Sequence, residues 1–579
     1  MAVFADALAV DDPPMTDLAP NAAIYFAADG YNPGAKGING RRVAGESFIR
    51  GFFRHADAPA LMSFTPKPAD QALFTRLAGE ERPGMTVQHL PLRSPQRLAE
   101  PGTLFFPSPN FAGECWRRAP HGDASWSICG ITHTISTRGV MQGFFDLRMA
   151  PQMEWDAVIC TSRAVQSAVL TQMDMIDAHA KARFMANPPP RPQLPVIPLG
   201  IDCGAFAPDA AAGAALRARL GAGAADTVFT CIARLTPYEK FDPLPLYIAL
   251  AEAQRRLGPR QKLHLALCGI FRDAFSRKVF EEGAARLMPD VGFLVLDGAA
   301  SAERRAALSG ADVFTFPIDN IQETFGLAPI EAMAAGLPVL VSDWDGMRDT
   351  VTPDVGIRVP TRTLGPGHAI SEALRHFGGA DTYPQYCALT SQMTAIDIRA
   401  LVEAILSLAG NPDLRRRLGA AGQARAAALY DWRVIVPQMQ ALWGELAARR
   451  GAATAPALPP AGRLAVAPSP FAYFASYPSA AGGFAGVRFA SATPQPPLPV
   501  AEMLVLRNYT GMGRSTERPE AFAAMAEAIA AAGAPGISRD DLASAHKYNP
   551  LTVDRLLIWL LKYGYIRRLP AVTPVQSRK

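Results

Sequence analysis

Two glutamates lie eight positions apart in the stretch ETFGLAPIEAMAAGLPVLVSDWDG, residues 323–346. Glu323 falls in a predicted loop, because turn-forming residues surround it. Glu331 falls in a predicted helix that begins near Gly326 and ends at Gly336. The unpaired N–H groups at the start of that helix point back toward Glu323, which makes a small anion site beside two carboxylates that accept hydrogen bonds from hydroxyl groups. This combination suits a phosphorylated sugar.

The rest of the chain alternates between apolar runs and helical patterns. A first series begins with AIYFAA at residue 23 and ends with PVIPLG at residue 200, and a second begins with TVFTCIARL at residue 227 and ends with PVLVSD. Such alternation predicts an α/β protein with two doubly wound, Rossmann-like parallel sheets. Because ligands of such folds bind outside the carboxyl ends of the strands, we expect the two domains to face each other across a binding cleft.

The pattern divides the chain into five regions. They are an N-terminal extension (1–20), a first Rossmann-like domain (21–200), a second with a closing helix (201–450), an Ala/Pro/Gly-rich linker (451–515) and a small, mostly helical domain (516–579). In this last region three predicted helices and a terminal strand resemble a winged helix.

The third helix of the C-terminal region, LTVDRLLIWLLKYG, is apolar on several faces. It offers only Arg555 and Lys562 to a phosphate backbone, which is poor for nucleic-acid binding. Five large side chains are expected to leave an apolar surface: Leu556, Leu557, Trp559, Leu560 and Leu561. We therefore expect this region to mediate self-association or to bind a protein partner rather than nucleic acid. One possible function of the whole chain is thus that of a regulator or scaffold that acts through its C-terminal region.

Composition excludes several classes of protein. At 579 residues the chain is long enough for several domains, and its net charge of +5 indicates no particular acidic partner. The seven cysteines are scattered, as in a reducing compartment. No apolar run approaches the length of a membrane span, and the first twenty residues lack the Lys and Arg of a signal peptide. We expect a cytoplasmic protein, at most peripheral to the inner face of the membrane.

Four motifs together resemble the retaining glycosyltransferases of family 4, the group 1, glycogen-synthase-like enzymes with the GT-B fold. In chain order they are WDAVICTSRAV, PVIPLGID, ARLTPYEKFD and PIDNIQETFGLAPIEAMAAGLPVLVSDWDGMRDTV, and the resemblance covers residues 21–450. It implies a GT-B fold, with an acceptor-side domain followed by a nucleotide-sugar domain. It also implies transfer of a sugar from a nucleotide-sugar donor to an acceptor that the sequence does not identify.

The resemblance gives both glutamates a role. Glu331 matches the acid that holds the ribose hydroxyls of the nucleotide, and Glu323 matches the acid beside the transferred sugar. The intervening donor-binding residues are Thr324, Phe325, Gly326 and Leu327. The alternative for each glutamate is an ordinary exposed charge on a helix or loop.

Arg234 and Lys240 match the basic pair that grips the donor's diphosphate and stabilises the charge on the leaving phosphate. Their spacing of six residues is one longer than the commoner pattern, so a solvated lysine at a strand end is the alternative for Lys240. The pair takes the place of a metal ion. The segment DWD, residues 343–345, is interpreted as a hydrogen-bonding turn rather than a magnesium site, and we expect no metal and no cofactor.

The first domain contributes two further candidates. His133, in GITHTIS, matches a histidine that hydrogen-bonds to a hydroxyl of the sugar near its reacting carbon, and a buried structural histidine is the alternative. Gly37, Asn39 and Gly40 lie in a glycine-rich loop where backbone N–H groups approach phosphate in the family.

No carboxylate stands out as the nucleophile that a double displacement requires. The resemblance implies instead that the leaving group departs and the acceptor attacks on the same face, with the acceptor's proton passing to the leaving phosphate. An epimerase or phosphorylase built on the same fold is the alternative chemistry.

Overall fold

The computed structural model describes residues 21–31, 40–454, 464–507 and 516–570. The chain divides into two compact units, Met1–Ala461 and Gly462–Lys579. Gly37 and Asn39 lie outside the described residues. For Gly40 only the backbone is described, at the start of a helix.

The first unit contains two six-stranded parallel sheets, each with its strands in the order expected of a doubly wound fold. The first sheet has the order β3-β2-β1-β4-β5-β6, with β1 (Ala23–Tyr25), β2 (Leu61–Thr65), β3 (Val87–Pro91), β4 (Thr103–Phe106), β5 (Ser127–Ile131) and β6 (Ala157–Ile159). The second has the order β12-β11-β10-β7-β8-β9, with β7 (Thr227–Leu235), β8 (Leu263–Phe271), β9 (Gly292–Asp297), β10 (Val313–Phe316), β11 (Val339–Ser342) and β12 (Gly356–Val359). We call the parts built on these sheets the first half and the second half, and the predicted architecture of two Rossmann-like domains is confirmed.

Helices cover both sheets. Those of the first half are α1 (Ala28–Tyr31), α2 (Gly40–His55), α3 (Pro68–Glu81), α4 (Ala112–Arg118), α5 (Arg138–Met149) and α6 (Arg163–Phe184). Those of the second half are α7 (Ala210–Leu220), α8 (Leu244–Leu257), α9 (Ala274–Leu287), α10 (Ser301–Gly310), α11 (Leu327–Ala334), α12 (Met347–Thr350), α13 (Ile370–Phe377), α14 (Tyr383–Ser391), α15 (Ile398–Gly410), α16 (Pro412–Leu429) and α17 (Trp432–Ala452). Short 3₁₀ helices span Pro95–Ala99, Ala119–His121, Cys203–Phe206, Gly258–Arg260 and Pro366–Ala369. A small antiparallel pair, β13 (Thr361–Thr363) and β14 (Thr394–Ile396), brackets α13 and α14.

Two differences from the predicted strands concern the sheet edges. The strands β3 and β12 were not predicted, and each is an edge strand with a polar side chain, His89 or Arg358, that breaks the apolar run. The run PVIPLG forms only an isolated bridge, between Val196 and Cys160, because its two prolines lack the N–H groups that a ladder needs.

The closing helix α17 packs on the first half, although in the sequence it comes after the second half. Trp432 and Trp443 are buried in the core of the first half, and Nε1 of Trp432 donates to Oγ of Ser47 at 2.8 Å. Arg450 donates from Nη1 to the carbonyl oxygen of Gly102 at 2.7 Å. The helix therefore belongs to the core of the domain that the chain left some 230 residues earlier.

The second unit has its own core and a three-stranded antiparallel sheet of order β16-β15-β17. Its elements are α18 (Pro470–Tyr473), β15 (Arg488–Ser491), α19 (Val500–Leu506), α20 (Pro519–Ala531), β16 (Ile537–Ser538), α21 (Arg539–His546), α22 (Pro550–Lys562) and β17 (Ile566–Arg568). The three helices and the terminal strand lie where the sequence predicts them, and the winged-helix assignment stays a prediction.

Two expectations about this unit need correction. The region interpreted as a linker contains β15 and α19, whose Phe489 and Leu504 are buried in the core of the unit. Phe489 lies between Arg488 and Ala490, so the strand carries no long apolar run. The apolar surface expected on the third helix is not exposed either, because Leu556, Leu557 and Leu560 are fully buried.

None of the helices in the described parts of the chain is long and apolar enough to cross a membrane.

Candidate active site

The loop of residues 320–326, which we call the Glu323 loop, folds around the side chain of Glu323. Gly326 precedes α11 with φ = +84°, a left-handed conformation that glycine adopts without the steric cost of a Cβ atom. The turn aims the N–H groups of Thr324 and Gly326 at Oε1 of Glu323, at 3.3 and 3.1 Å. A carboxylate of the chain itself therefore fills the anion position at this helix start.

Lys240, from the loop after β7, contacts the other oxygen of Glu323. Its Nζ pairs with Oε2, and the ammonium lies 5.0 Å from the centre of the Phe316 ring. The side chains of Lys240 and Glu323 are only 18% and 12% exposed. Burial would raise the pKa of Glu323, but Lys240 and the loop N–H groups outweigh burial and hold that pKa below its ordinary value. Glu323 is therefore ionised at neutral pH.

Arg234 lies at the carboxyl end of β7 and is weakly compensated. Its ion pair within the described ranges is with Glu239, whose Oε2 lies 3.7 Å from Nη1 of Arg234 and also pairs with Arg272. Burial lowers the pKa of Arg234, since desolvation disfavours the charged guanidinium. A partly buried guanidinium that shares a distant carboxylate is suited to an incoming anion.

Glu331 lies on α11, one turn after Leu327, and is half-buried. Burial raises the pKa of Glu331 to about 7, and the nearby charge of Arg304 on α10 opposes this only in part. In its ionised form such a carboxylate can accept hydrogen bonds from two neighbouring hydroxyl groups.

Two hydroxyl groups of the first half hold the Glu323 loop from the opposite side. Oγ1 of Thr134 donates to the carbonyl oxygen of Gln322 at 3.3 Å, and Oγ of Ser162 donates to that of Thr324 at 3.0 Å. The two acceptors flank Glu323 in the sequence. The halves of the first unit therefore meet at the predicted donor-binding loop.

His133 follows β5 directly before Thr134 and lines an apolar pocket. Phe48 of α2, Ile131 of β5 and Trp432 of α17 are among the other residues of its lining. The pocket thus lies at the carboxyl end of the first sheet, beside the hydroxyl that contacts the Glu323 loop.

A segment that sequence reasoning did not assign to the site also reaches the cleft. The α13–α14 hairpin, residues 361–396, leaves the second half through β13 and returns through β14. The hydroxyl of Tyr383 lies 2.9 Å from Oγ of Ser136 in the first half, a hydrogen bond. The capping box of Thr382 and Gln385 marks the start of α14 and was the one sequence signal that could have found it.

The segment DWD forms a turn against the Glu323 loop. Nε1 of Trp344 donates to the carbonyl oxygen of Asn320 at 3.1 Å. Asp345 adopts φ = +50°, and burial raises its pKa well above the ordinary value. In the part of the chain that the structure covers, no group of three or more His, Cys, Asp or Glu side chains is arranged to hold a metal ion.

The fold brings Arg234, Lys240 and Glu323 to one place at the carboxyl end of β7, with Glu331 on the helix that follows. His133 lies on the first half. The phosphate contact of the glycine-rich loop at Gly37, Asn39 and Gly40 stays a prediction, as do the roles of the other residues.

Comparison with known proteins bears on these residues. Residues 214–375 match the family model described as glycosyl transferases group 1. The GDP-mannose-dependent alpha-(1-6)-phosphatidylinositol monomannoside mannosyltransferase of Mycobacterium tuberculosis is 30% identical over 181 residues, which cover 30% of this chain and 45% of the relative. The protein of the same description from Mycolicibacterium smegmatis is 26% identical over 268 residues, covering 44% of this chain and 68% of the relative.

The chain thus spans less than half of the length of the M. tuberculosis relative. Among solved structures, the sucrose-phosphate synthase from Thermosynechococcus elongatus is 19% identical, with a TM-score of 0.44 and coverage of 74% of this chain and 96% of that chain.

Proposed function

We propose that this chain, which contains a group 1 glycosyl transferase domain, transfers a sugar from a nucleotide-sugar donor to an acceptor hydroxyl with retention of the anomeric configuration. The observation that carries the proposal is the convergence of Arg234, Lys240 and Glu323 at the carboxyl end of β7. Two cations beside a carboxylate suit a donor in which a diphosphate is joined to a sugar.

In this proposal the donor lies along the second half. Glu331 accepts hydrogen bonds from the ribose hydroxyls, and its pKa of about 7 leaves the ionised form accessible at neutral pH. Arg234 contacts the diphosphate, since its ion-pair partner among the described residues, Glu239, lies 3.7 Å away. The four residues Thr324, Phe325, Gly326 and Leu327 line the donor with their backbone.

Donor binding changes the partner of Lys240. Before the donor binds, the ammonium of Lys240 pairs with the carboxylate of Glu323, so neither of these largely buried charges is left without a partner. A diphosphate carries more charge than one carboxylate and attracts Lys240, which frees Oε2 of Glu323 to accept a hydrogen bond from a sugar hydroxyl. The same ion pair therefore links recognition of the phosphate to recognition of the sugar.

During the reaction the bond between the anomeric carbon and the leaving phosphate oxygen breaks. The acceptor oxygen bonds to the same face of that carbon, and the acceptor's proton passes to the leaving phosphate oxygen. Negative charge grows on the phosphate, so Arg234 and Lys240 stabilise the transition state more than the bound donor. His133 donates a hydrogen bond to a sugar hydroxyl, and the proposal requires no metal ion and no cofactor.

The acceptor is proposed to approach from the first half. The pocket beside His133 is lined almost wholly by apolar side chains, which supports an acceptor with an apolar part. The named relatives are described as GDP-mannose-dependent enzymes of phosphatidylinositol monomannoside, so GDP-mannose and an inositol lipid are the first pair to test. Such an acceptor would bring the protein to the inner face of a membrane.

The direct test is Arg234→Ala in a transfer assay with the donor and acceptor so identified. Removing one charge-stabilising group commonly costs about 3 kcal/mol of barrier, so turnover should fall by at least about a hundredfold. The matched control is Arg255→Ala, since Arg255 is 73% exposed on α8 and pairs only with its helix neighbour Glu252 among the described residues. This control should keep full activity.

Two results would contradict the proposal. Equal turnover of Arg234→Ala and Arg255→Ala would rule out the diphosphate role of Arg234. Interconversion of nucleotide sugars in the absence of any acceptor would show that the protein is not a transferase. Screening UDP, GDP and their sugars by thermal shift precedes both experiments, because a ligand that binds only the native state raises the melting temperature.

A further inference from the structure

Arg234 and Arg272 lie side by side at the carboxyl ends of two neighbouring strands. Arg234 is one residue before the end of β7, and Arg272 directly follows β8, which pairs with β7 in parallel over the whole length of both strands. The backbone N–H of Arg272 lies 3.5 Å from the carbonyl oxygen of Leu235, so the two segments stay together beyond the last strand pair. The site that contains Arg234 and Lys240 therefore has a third cation at its edge.

The carboxylate of Glu239 lies between the two guanidinium groups. Nη1 of Arg272 donates a hydrogen bond to Oε2 of Glu239, whereas Nη1 of Arg234 is 3.7 Å from the same oxygen, which is too far for a hydrogen bond. The side chain of Glu239 is only 8% exposed, and within the described ranges its ion pairs are with these two arginines. One carboxylate thus faces two cations but is hydrogen-bonded to Arg272.

The loop that carries Glu239 is held on two sides. It is the segment TPYEK after β7, which is one residue longer than the commoner pattern. The hydroxyl of Tyr238 lies 3.2 Å from both carboxylate oxygens of Asp273. The side-chain amide of Asn320 donates to the carbonyl oxygen of Tyr238 at 2.8 Å. These contacts keep Glu239 within reach of both arginines.

A largely buried carboxylate competes with a phosphate for the same guanidinium. If Arg272 were removed, Glu239 would be left with Arg234 as its ion-pair partner among the described residues. A direct, hydrogen-bonded pair of that kind would neutralise the cation that is assigned to the diphosphate. In the structure, the hydrogen bond from Arg272 satisfies Glu239 and leaves Arg234 weakly compensated.

We propose that Arg272 is a positioning residue, which holds the carboxylate of Glu239 away from Arg234 and so keeps Arg234 available to the diphosphate of a nucleotide. Arg272 acts through Glu239 and does not itself contact the ligand. Its role depends on its charge, because only a cation satisfies the carboxylate. This inference rests on the proposed function, because it assigns a further residue to the same diphosphate site.

The test compares nucleoside diphosphates with nucleoside monophosphates by titration calorimetry on the full-length protein. The side chain of Arg272 is 42% exposed, so Arg272→Met should leave the fold intact. This variant should bind UDP or GDP about tenfold more weakly than the wild type, as expected when a competitor takes one charged hydrogen bond from a phosphate. Binding of UMP or GMP should change by less than about twofold, because a monophosphate lacks the phosphate that Arg234 is proposed to stabilise.

Two single variants serve as controls. Arg272→Lys keeps a cation beside Glu239 and should bind diphosphates within about threefold of the wild type. Arg277→Met removes an arginine from the neighbouring helix α9 that is 59% exposed and pairs with Glu281 one turn further on. That variant should bind like the wild type.

A double variant distinguishes positioning from direct contact. Glu239→Gln removes the competing charge, so Arg272→Met/Glu239→Gln should recover diphosphate binding to within about twofold of the wild type. Glu239→Gln alone should change the affinity by less than about twofold, because Arg272 already holds the carboxylate. If Arg272 contacted the diphosphate itself, the double variant would bind as weakly as Arg272→Met. That result, additive effects of the two substitutions, or equal losses for mono- and diphosphates would overturn the inference.

The two proposals fail in distinguishable ways. If the wild type binds UDP or GDP and Arg272→Met binds them equally well, the inference alone is wrong. If the wild type binds neither nucleoside diphosphate, the proposed function fails and the inference falls with it.

Discussion

The ion pair of Lys240 and Glu323 allows the proposed site to be tested without a substrate. Lys240→Met keeps an apolar stem over the Phe316 ring and removes the charge. Glu323 would then keep its bonds from the loop N–H groups but face no cation, in a position only 12% exposed. Breaking a fully buried pair on one side costs about 3–5 kcal/mol. Because the N–H bonds remain, we expect a loss of about 2–3 kcal/mol of unfolding free energy at pH 8.

The sign of the pH dependence follows from the pKa of Glu323. In the wild type this pKa is held below the ordinary value of 4.5, so the ionised carboxylate contributes stability above that pH, which is lost as the pH falls through the folded pKa. Without Lys240, burial raises the pKa instead, and the same carboxylate destabilises the variant as the pH rises. The stability gap between wild type and Lys240→Met should therefore widen from about pH 4 to pH 7.

Unfolding by urea at pH 5 and pH 8 measures this gap. The double variant Lys240→Met/Glu323→Gln should recover stability to within about 1 kcal/mol of the wild type, since no buried charge is left unpaired, but it should not recover sugar transfer. Arg255→Met, which breaks an exposed pair with Glu252, should show no widening gap. A gap that is constant with pH, or a fully active double variant, would refute the role given to the pair.

Three further outcomes are expected. The affinity for GDP of the wild type, measured by calorimetry relative to Glu331→Gln, should rise as the pH rises through about 7 and level off above it, because ribose hydroxyls favour the ionised carboxylate. An affinity ratio that does not change with pH would contradict the ribose role. Activity should survive EDTA, because Arg234 and Lys240 supply the positive charge that stabilises the leaving phosphate. Inhibition by EDTA that added metal reverses would contradict this prediction. A protein that ends at Thr454 should still bind nucleotide in the same thermal-shift assay, because the first unit has its own hydrophobic cores. The protein should not be cut before Arg450, because that would remove the hydrogen bond from Arg450 to the carbonyl oxygen of Gly102.

The sheets and the helix after Glu323 could be predicted because their signals are local. Apolar runs mark central strands that are buried on both faces, and Gly326 and Gly336 mark the two ends of α11, both with positive φ. The edge strands β3 and β12 were missed because each carries a polar residue, His89 or Arg358, that interrupts the apolar run. The motifs predicted Arg234 and Lys240 as individual site residues, but they did not predict which side chains contact them.

The remaining features depend on contacts between distant segments. Nothing near Tyr383 in the sequence indicates that its hydroxyl meets Ser136, 247 positions away. The side chain of Glu323 was expected to lie beside an anion site, whereas it fills that site itself. The apolar residues of α22, such as Leu556, were expected to be exposed, whereas they lie in the core of the second unit, to which Phe489 and Leu504 also contribute from a Pro- and Ala-rich stretch without a long apolar run.

The resting state of the site explains why a nucleotide sugar, rather than a free sugar, should be its ligand. A neutral hexose that displaced Lys240 from Glu323 would leave two partly buried charges with weaker partners, so binding would have to overcome the stability of the ion pair. A diphosphate offers Lys240 a stronger partner and meets Arg234 at the same time, so the exchange is favourable only for a ligand that carries both groups. Free glucose or mannose at millimolar concentration should therefore leave the melting temperature unchanged, while GDP or UDP raises it. A free sugar that stabilises the protein as well as its nucleotide form would show that the sugar site is open without the exchange.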